Sequence, residues 1–305
     1  MVKGRVNRQQ LLDKHKSSRP TLSVKFKHFF NKPLSSQELW QLLPPKFDDK
    51  WVYGVDGKWL KRQGVFILQR NITQKVNLYW SFWPNETYEA LHKNLSCLSR
   101  LLRDKKPVAA VSDWKGAVVS AVNGHFGSIP YQRCLAHVIR KAKKLLPRKS
   151  PFVCTLELRK IAKTLIHLKT QEDIDIWFVG LGLWHDQHGY MLKEKTIGDG
   201  FDKLTTSGVK RKWWYTHGKL RSAWKLLTYD TKPFFKHIDH KLLPHSNNSL
   251  EGVFSQMKNK LGDHRGMKLQ QQVSFLYWYF AFSRVKNKQQ LKILWDYWKM
   301  KKSKF

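Results

Sequence analysis

Three acids are conspicuous because the chain around them is strongly basic. Asp56 lies inside the apolar and aromatic stretch VYGVDGKWL, Asp113 ends the apolar run PVAAVSD, and Glu251 lies near the start of the apolar-periodic stretch SLEGVFSQMK. A charge within a buried strand is costly unless it is paired or bound to a metal ion. Carboxylate oxygens are the ligands that Mg²⁺ prefers in proteins. Two such ions about 4 Å apart can activate water and stabilise the leaving oxygen of a phosphodiester, and these acids are candidates for that chemistry.

Each of the three acids also has a purely structural interpretation. The pair Asp56-Gly57 is a strong signal for a hairpin turn. Asp113 is suitable as the N-cap of a following helix, and Glu251 as a first-turn acid that the helix dipole favours. These roles can coexist with metal binding. What favours a shared site is the order of the elements that carry the three acids.

Strand and helix patterns alternate along the first half of the chain. Three strand candidates rich in β-branched and aromatic residues come first, and their short connections are typical of antiparallel hairpins. A helix follows, then a continuous apolar run typical of a buried parallel strand, then two more helices with a short strand between them. The predicted strands are 51–60, 64–70, 75–83, 107–113 and 129–134, and the predicted helices are 85–102, 114–123 and 135–146.

This order predicts an α/β fold with an RNase H-like mixed sheet, in which three antiparallel strands precede parallel ones. The first and fourth strands of such a sheet are neighbours, so Asp56 and Asp113 would converge, and Glu251 would join them from a helix packed on that edge. Helical patterns then predict an all-α insertion before that last helix. The predicted domains are a basic N-terminal arm or truncated DNA-binding segment (1–48, with a solvated tail as the alternative), the first part of the core (49–150), the α-helical insertion (151–243), and the final core helices with a basic tail (244–305).

The charge of the chain indicates a polyanionic partner. It has 57 Lys and Arg against 22 Asp and Glu, a net charge of +35, while 41% hydrophobic residues favour a folded core. Basic residues bind nucleic acid without sequence specificity through counterion release. An anionic membrane is the competing partner, but the sequence has no run of about 18 apolar residues and no apolar signal region. The cysteines Cys97, Cys134 and Cys154 form no CxxC pair, which is typical of a reducing compartment.

Four segments together resemble a known family of enzymes. They are VDGKWL, VSDWKGA, QRCLAHVIRKA and NNSLEGVFSQMKNKLGDHRG. In this order and spacing they are similar to the DDE transposases of Mutator-like and related bacterial insertion-sequence elements. The resemblance implies an RNase H-like catalytic domain with a helical insertion. It also implies catalytic and metal-binding roles for Asp56, Asp113 and Glu251 around two Mg²⁺ ions, with Mn²⁺ as a substitute.

The activity that this resemblance implies is metal-dependent cleavage of DNA strands at transposon ends, followed by transfer of the 3′-OH into target DNA. The implied partners are double-stranded DNA, as transposon ends and target, and further copies of the chain in a synaptic complex, as a homodimer or a higher assembly. No membrane is implied. The corresponding location is the bacterial cytoplasm, at the nucleoid, or the nucleus if the host is eukaryotic.

Several further residues are candidates for supporting roles. Cys134 and His137 match a Cys-x-x-His of the family, and His264 matches a His-Arg-Gly. A zinc site at Cys134 and His137 would lack further ligands at suitable spacing, and His137 could instead face the scissile phosphate. His264 could contact DNA or cap its helix. The candidate DNA-binding cations are Arg140, Lys141, Lys143, Lys144, Lys258 and Arg265.

Two alternative functions are compatible with the same residues. The first is a transposase-derived or truncated DNA-binding protein without catalysis. Only 50 residues precede the first predicted strand, where this family usually carries a longer region that recognises the element's ends. Acids at all three expected positions argue against this alternative. The second is an RNA-processing nuclease on the same fold, which would prefer an RNA–DNA hybrid over duplex DNA.

Overall fold

The chain forms two compact units. The computed structural model describes residues 8–198, 212–262 and 266–303. The first unit consists of residues 1–130 and 247–305, and the second consists of residues 131–246. The second unit is therefore inserted into the sequence of the first.

Helices account for most of the regular structure. No helix among the described residues is both long and apolar enough to cross a membrane. Short 3-10 helices occupy Leu165–His167, Gly189–Leu192 and Lys232–Phe234. In chain order the described elements are α1 (Arg8–His15), α2 (Arg19–Asn31), α3 (Ser36–Leu42), β1 (Val52–Trp59), β2 (Val65–Asn71), β3 (Val76–Trp83), α4 (Tyr88–Leu102), β4 (Ala109–Ser112), α5 (Gly116–Phe126), β5 (Tyr131–Arg133), α6 (Leu135–Leu145), α7 (Val153–Thr164), α8 (Gln171–His188), β6 (Lys195–Ile197), β7 (Trp213–Tyr215), α9 (Gly218–Thr228), α10 (Lys236–Asp239), α11 (Asn248–Gly262), α12 (Leu269–Ser283) and α13 (Lys288–Ser303).

A five-stranded mixed sheet orders its strands β3-β2-β1-β4-β5. β2 pairs antiparallel with both β1 and β3, whereas β4 runs parallel to β1, with Val52 opposite Ala109. Every residue of β2 is buried, because it lies between two strands and α12 covers one face, where the Phe66 and Phe280 rings stack 5.2 Å apart. The predicted α/β fold with an RNase H-like mixed sheet is confirmed.

The described part of the N-terminal segment folds against the C-terminal helices of the same unit. Trp278 Nε1 of α12 donates a hydrogen bond to Phe29 O at 3.0 Å, and Trp298 Nε1 of α13 donates to Lys32 O at 3.2 Å. The Phe29 and Trp298 rings also stack, with centroids 4.5 Å apart. Because these aromatic side chains bury one another, the described part of 1–48 is a folded part of the first unit rather than a solvated tail.

The second unit has a hydrophobic core of its own. Helices α6, α7, α8 and α9 share a buried cluster that includes Leu135, Leu158, Trp177 and Leu227. The second unit, residues 131–246, is longer than the predicted insertion at 151–243. It also includes α6, because the apolar face of α6 packs with the helices of that insertion. It also contains the antiparallel pair β6 and β7, which the helical patterns of 151–243 do not predict.

The start of α4 differs from the prediction in a way that matters for the site. The helix begins at Tyr88 rather than at residue 85, because Thr87 caps it. The Thr87 side chain accepts a hydrogen bond from Ala90 N–H at 3.2 Å. Glu86 consequently lies in the connection between β3 and α4, outside the helix.

Gly54 in β1 marks a close approach between the sheet and the start of α11. A Cβ at this position would lie 2.6 Å from Ile72 Cγ1 and 3.1 Å from Asn247 Oδ1. We expect Gly54→Ala to lower the free energy of unfolding by about 1–3 kcal/mol, because overpacking displaces both neighbours. Urea unfolding of the full chain measures this change.

Gly124→Ala in α5 is the matched control for that substitution. Nothing lies within 4 Å of a Cβ at Gly124, so this variant should be more stable than the wild type by roughly 0.5–1 kcal/mol, as expected for a helix interior. Equal stability of Gly54→Ala and the wild type would contradict the close approach of Ile72 and Asn247 to Gly54.

Candidate active site

Asp56 is buried in the middle of the central strand. It pairs with Leu68 of β2, so the hairpin-turn interpretation is wrong. The turn lies farther along the chain, where Leu60 N–H donates to Gly64 O at 2.8 Å. The residue is 8% exposed, and its Oδ1 accepts a hydrogen bond from Gly57 N–H at 2.8 Å. A carboxylate buried to this extent requires nearby groups that stabilise its charge.

Asp113 directly follows β4, the strand beside the one that carries Asp56. The parallel register pairs Gly54 with Val111, and continuing it by two residues on each strand sets Asp56 opposite Asp113. Since neighbouring strands are about 4.8 Å apart, the two side chains leave the sheet at the same level and on the same face. The N-cap interpretation of Asp113 is wrong, because the cap position of α5 is Lys115.

The backbone between Asp113 and Lys115 turns sharply. Trp114 has a φ of 67°, in the left-handed region that costs a non-glycine residue roughly 1–2 kcal/mol. Its N–H donates to Ser112 Oγ at 3.2 Å. The turn ends β4 and sets the direction in which the next side chain, Lys115, leaves the backbone.

Glu86 is a third carboxylate in this cluster, and no sequence motif distinguishes it. Its side chain is 6% exposed, and its Oε1 would lie 2.9 Å from a Cβ on Gly57. The absence of a side chain at Gly57 therefore leaves room for Glu86 beside Asp56. Lys115 Nζ pairs with Glu86 Oε2 and, at 3.0 Å, with Asp113 Oδ2. One ammonium group thus joins two of the three carboxylates.

The pKa shifts within the cluster follow from burial and like charge. Burial, followed by the charge of Asp113, raises the pKa of Asp56 from 3.8 to about 7. Burial also raises the pKa of Glu86, although Lys115 opposes that change. For Lys115, burial disfavours the charged form, but its contacts with Glu86 and Asp113 raise its pKa above the ordinary value.

The donor set of this cluster fits a divalent cation. Three carboxylates share a single ammonium group, so negative charge remains in excess. Glu86 Oε1 is buried and has no hydrogen-bond partner among the described residues. Buried carboxylate oxygens with unneutralised charge are the ligands that Mg²⁺ takes up in proteins.

Glu251 lies in the first turn of α11, and this helix starts beside the central strand. Asn247 Nδ2 donates to Val55 O at 3.3 Å, and Arg70 Nε of β2 donates to Ser249 Oγ at 2.8 Å. Glu251 is half-buried, and its N–H donates to Asn247 O at 3.2 Å. These contacts hold the first turn of α11 against β1 and β2. The position of Glu251 in that turn is compatible with its interpretation as an acid that the helix dipole favours.

The remaining candidates fall in different parts of the chain. Cys134 and His137 belong to the second unit, where His137 Nδ1 lies 3.3 Å from the buried Cys134 Sγ. His264 and Arg265 lie outside the described residues. The other candidate cations are exposed to solvent: Arg140, Lys141, Lys143 and Lys144 on α6, and Lys258 on α11.

Comparisons with known proteins give a distant structural likeness. No protein-family model and no curated protein matches the chain. Among solved structures, the Drosophila P element transposase strand transfer complex is similar to it at 11% sequence identity and a TM-score of 0.38. The match covers 90% of this chain and 86% of that chain. We draw no functional conclusion from a likeness at this level.

The raised pKa of Asp56 predicts how stability depends on pH. In the folded protein the Asp56 carboxyl has a pKa of about 7, whereas in the unfolded chain its pKa is 3.8. Stability should therefore fall as pH rises from 4 to 7. In Asp56→Asn this loss is absent, and the variant should be more stable than the wild type at pH 8 by about 2–4 kcal/mol.

Chemical unfolding in EDTA at pH 4 and at pH 8 tests this expectation. The two proteins should differ little at pH 4, because Asp56 is then largely protonated in the folded wild type. If Asp56→Asn is less stable than the wild type at pH 8, Asp56 does not carry a buried, uncompensated charge at that pH.

Proposed function

We propose that the chain is a DDE-type transposase, which cleaves DNA strands at the ends of a mobile element and transfers the 3′-OH into target DNA. The observation that carries this proposal is the buried cluster of Asp56, Glu86 and Asp113 on an RNase H-like sheet. The sequence motifs around Asp56, Asp113 and Glu251 support the same activity.

The residues that would hold Mg²⁺ are Asp56, Asp113 and Glu251, with Glu86 as an additional carboxylate. Two Mg²⁺ ions, or Mn²⁺ in their place, would supply Lewis acidity for phosphodiester cleavage and stabilise charge on the leaving oxygen. Burial of Asp56 and Glu86 excludes water from these carboxylates and strengthens their attraction for a cation. Lys115 neutralises part of their mutual repulsion.

The basic residues would bind the DNA. The net charge of +35 and the exposed cations of α6 and α11 favour a salt-dependent association with the phosphate backbone. The partners are then double-stranded DNA, as element ends and as target, and further copies of this chain in a synaptic assembly. The acting compartment is the one that contains the DNA, the nucleoid or the nucleus.

Replacement of Asp113 tests the catalytic role of the cluster. We expect Asp113→Asn to lower Mg²⁺-dependent cleavage of end-containing DNA by about 100-fold or more, because it removes one negative charge from the site. Affinity for duplex DNA in EDTA should change by less than about twofold, since phosphate contacts supply it. Nicking gels and fluorescence anisotropy measure the two quantities.

Asp104→Asn is the control for that experiment. Asp104 is an exposed acid of the same unit, and its substitution removes the same charge outside the cluster. Full cleavage by Asp113→Asn, or equal losses in both variants, would argue against the proposed site.

Glu86→Gln tests whether the additional carboxylate takes part in metal binding. Its Oε1 has no hydrogen-bond partner among the described residues, so the variant should bind Mg²⁺ about tenfold or more weakly. The Mg²⁺ concentration that raises the Tm of the full chain is the readout. Glu89→Gln is the control, because Glu89 is 75% exposed and pairs with the exposed Lys93. If Tm depends equally on Mg²⁺ concentration in both variants, Glu86 does not take part in metal binding.

A transposase-derived DNA-binding protein without catalysis is the second candidate. The ion pairs of Lys115 with Glu86 and Asp113 favour it, because an ammonium group there competes with a divalent cation. Salt-dependent DNA binding without nicking in either Mg²⁺ or Mn²⁺ would support this candidate. Metal-dependent nicking that Asp113→Asn abolishes would exclude it.

A further inference from the structure

A second polar site lies in the first unit, in a cavity of about 920 Å³. Its wall is formed by the end of α3, by β2 and β3 with their connection, by α11, and by residues at and after the end of α12. This volume is in the upper part of the range for small-molecule sites. Among the described residues that line it, none is acidic and five are basic: Lys46, Arg70, Lys75, Arg284 and Lys286.

Arg284 is a buried cation in this wall. It is 9% exposed, its Nη2 donates to Leu43 O, and its guanidinium lies 5.5 Å from the Trp40 ring. Its Nη1 is buried without a hydrogen-bond partner among the described residues. Burial alone lowers the pKa of Arg284 to about 10. The group is therefore charged at neutral pH, and no described carboxylate compensates it.

Arg70 is the second buried cation in the wall. It is 8% exposed, and it donates to Asn77 Oδ1 and, from Nε at 2.8 Å, to Ser249 Oγ. Burial lowers the pKa of Arg70 to about 10, and only Tyr279 opposes that change. Its hydrogen-bond partners are neutral, so this charge is also uncompensated by any described acid.

Two buried guanidinium groups without a carboxylate are costly to the folded state. An anion bound in the cavity that both side chains line would compensate these two positive charges. The planar guanidinium group matches the geometry of phosphate oxygens and donates to them in pairs. Exposed Lys46, Lys75 and Lys286 add positive charge around the cavity.

We propose that this cavity binds the phosphate group of a ligand, which is either a nucleotide-sized molecule or the backbone of a nucleic acid. The site is separate from the carboxylate cluster and needs no divalent cation. It does not depend on the proposed transposase activity, and binding in EDTA tests it separately.

Calorimetric titration of the full chain with inorganic tripolyphosphate in EDTA is the test. We expect saturable binding that is about tenfold or more weaker in the double variant Lys46→Glu and Lys286→Glu. The matched control is Lys105→Glu with Lys106→Glu, which makes the same charge change at exposed positions after α4, outside the cavity lining. This control should bind within about twofold of the wild type, because it leaves the residues that line the cavity unchanged.

Arg284→Gln is a more direct variant, and it should weaken binding by a similar factor. The lysine variant keeps the test valid if Arg284→Gln fails to fold. No saturable binding by the wild type, or equal weakening in the cavity and control variants, would overturn the proposal.

A parallel titration with a short DNA duplex separates the two sources of phosphate. If the cavity variant binds tripolyphosphate weakly but binds DNA as the control does, the ligand is a nucleotide-sized molecule. If both affinities fall in the cavity variant and not in the control, the ligand is the nucleic acid backbone. Either result supports a phosphate site.

Discussion

The first unit depends on one electrostatic constraint, the burial of the Asp56 carboxylate in the central strand of the sheet. Burial and the neighbouring charge of Asp113 raise its pKa to about 7, because both disfavour the ionised form. Several local features position the groups around this buried carboxylate. Gly57 leaves space for Glu86, the left-handed Trp114 starts the turn after β4, and Lys115 supplies the positive charge that the carboxylates share.

Two sites of opposite sign lie in the same unit. The carboxylate cluster has an excess of negative charge, whereas the cavity behind β2 has only basic charged residues in its described lining. Arg70 lines that cavity and also holds the start of α11 through Ser249. A phosphate that binds Arg70 would therefore act on the same contact that positions the helix carrying Glu251.

The division of the chain into two units explains why residues distant in sequence meet in the first one. The chain leaves this unit after residue 130 and returns at residue 247. Asn247 contacts Val55 of β1 immediately on that return. The second unit buries a hydrophobic cluster of its own, and its residues separate β4 from α11 in the sequence.

The sequence alone was sufficient for the three antiparallel strands followed by parallel ones and for the neighbouring positions of β1 and β4, since β-branched and aromatic runs set strands locally and the element order restricts their pairing. Helix ends needed the structure, because Asn and Thr both cap helices well and only the folded chain shows that Thr87 caps α4. No local sequence pattern distinguishes Glu86 from Glu89. In the folded chain, the space at Gly57 and the ion pair with Lys115 position Glu86 in the carboxylate cluster. The cavity likewise brings together Arg70 and Arg284, whose burial depends on helices and strands far apart in sequence. Local patterns report backbone preference, whereas charge pairing and burial are properties of side chains that only the folded chain brings together.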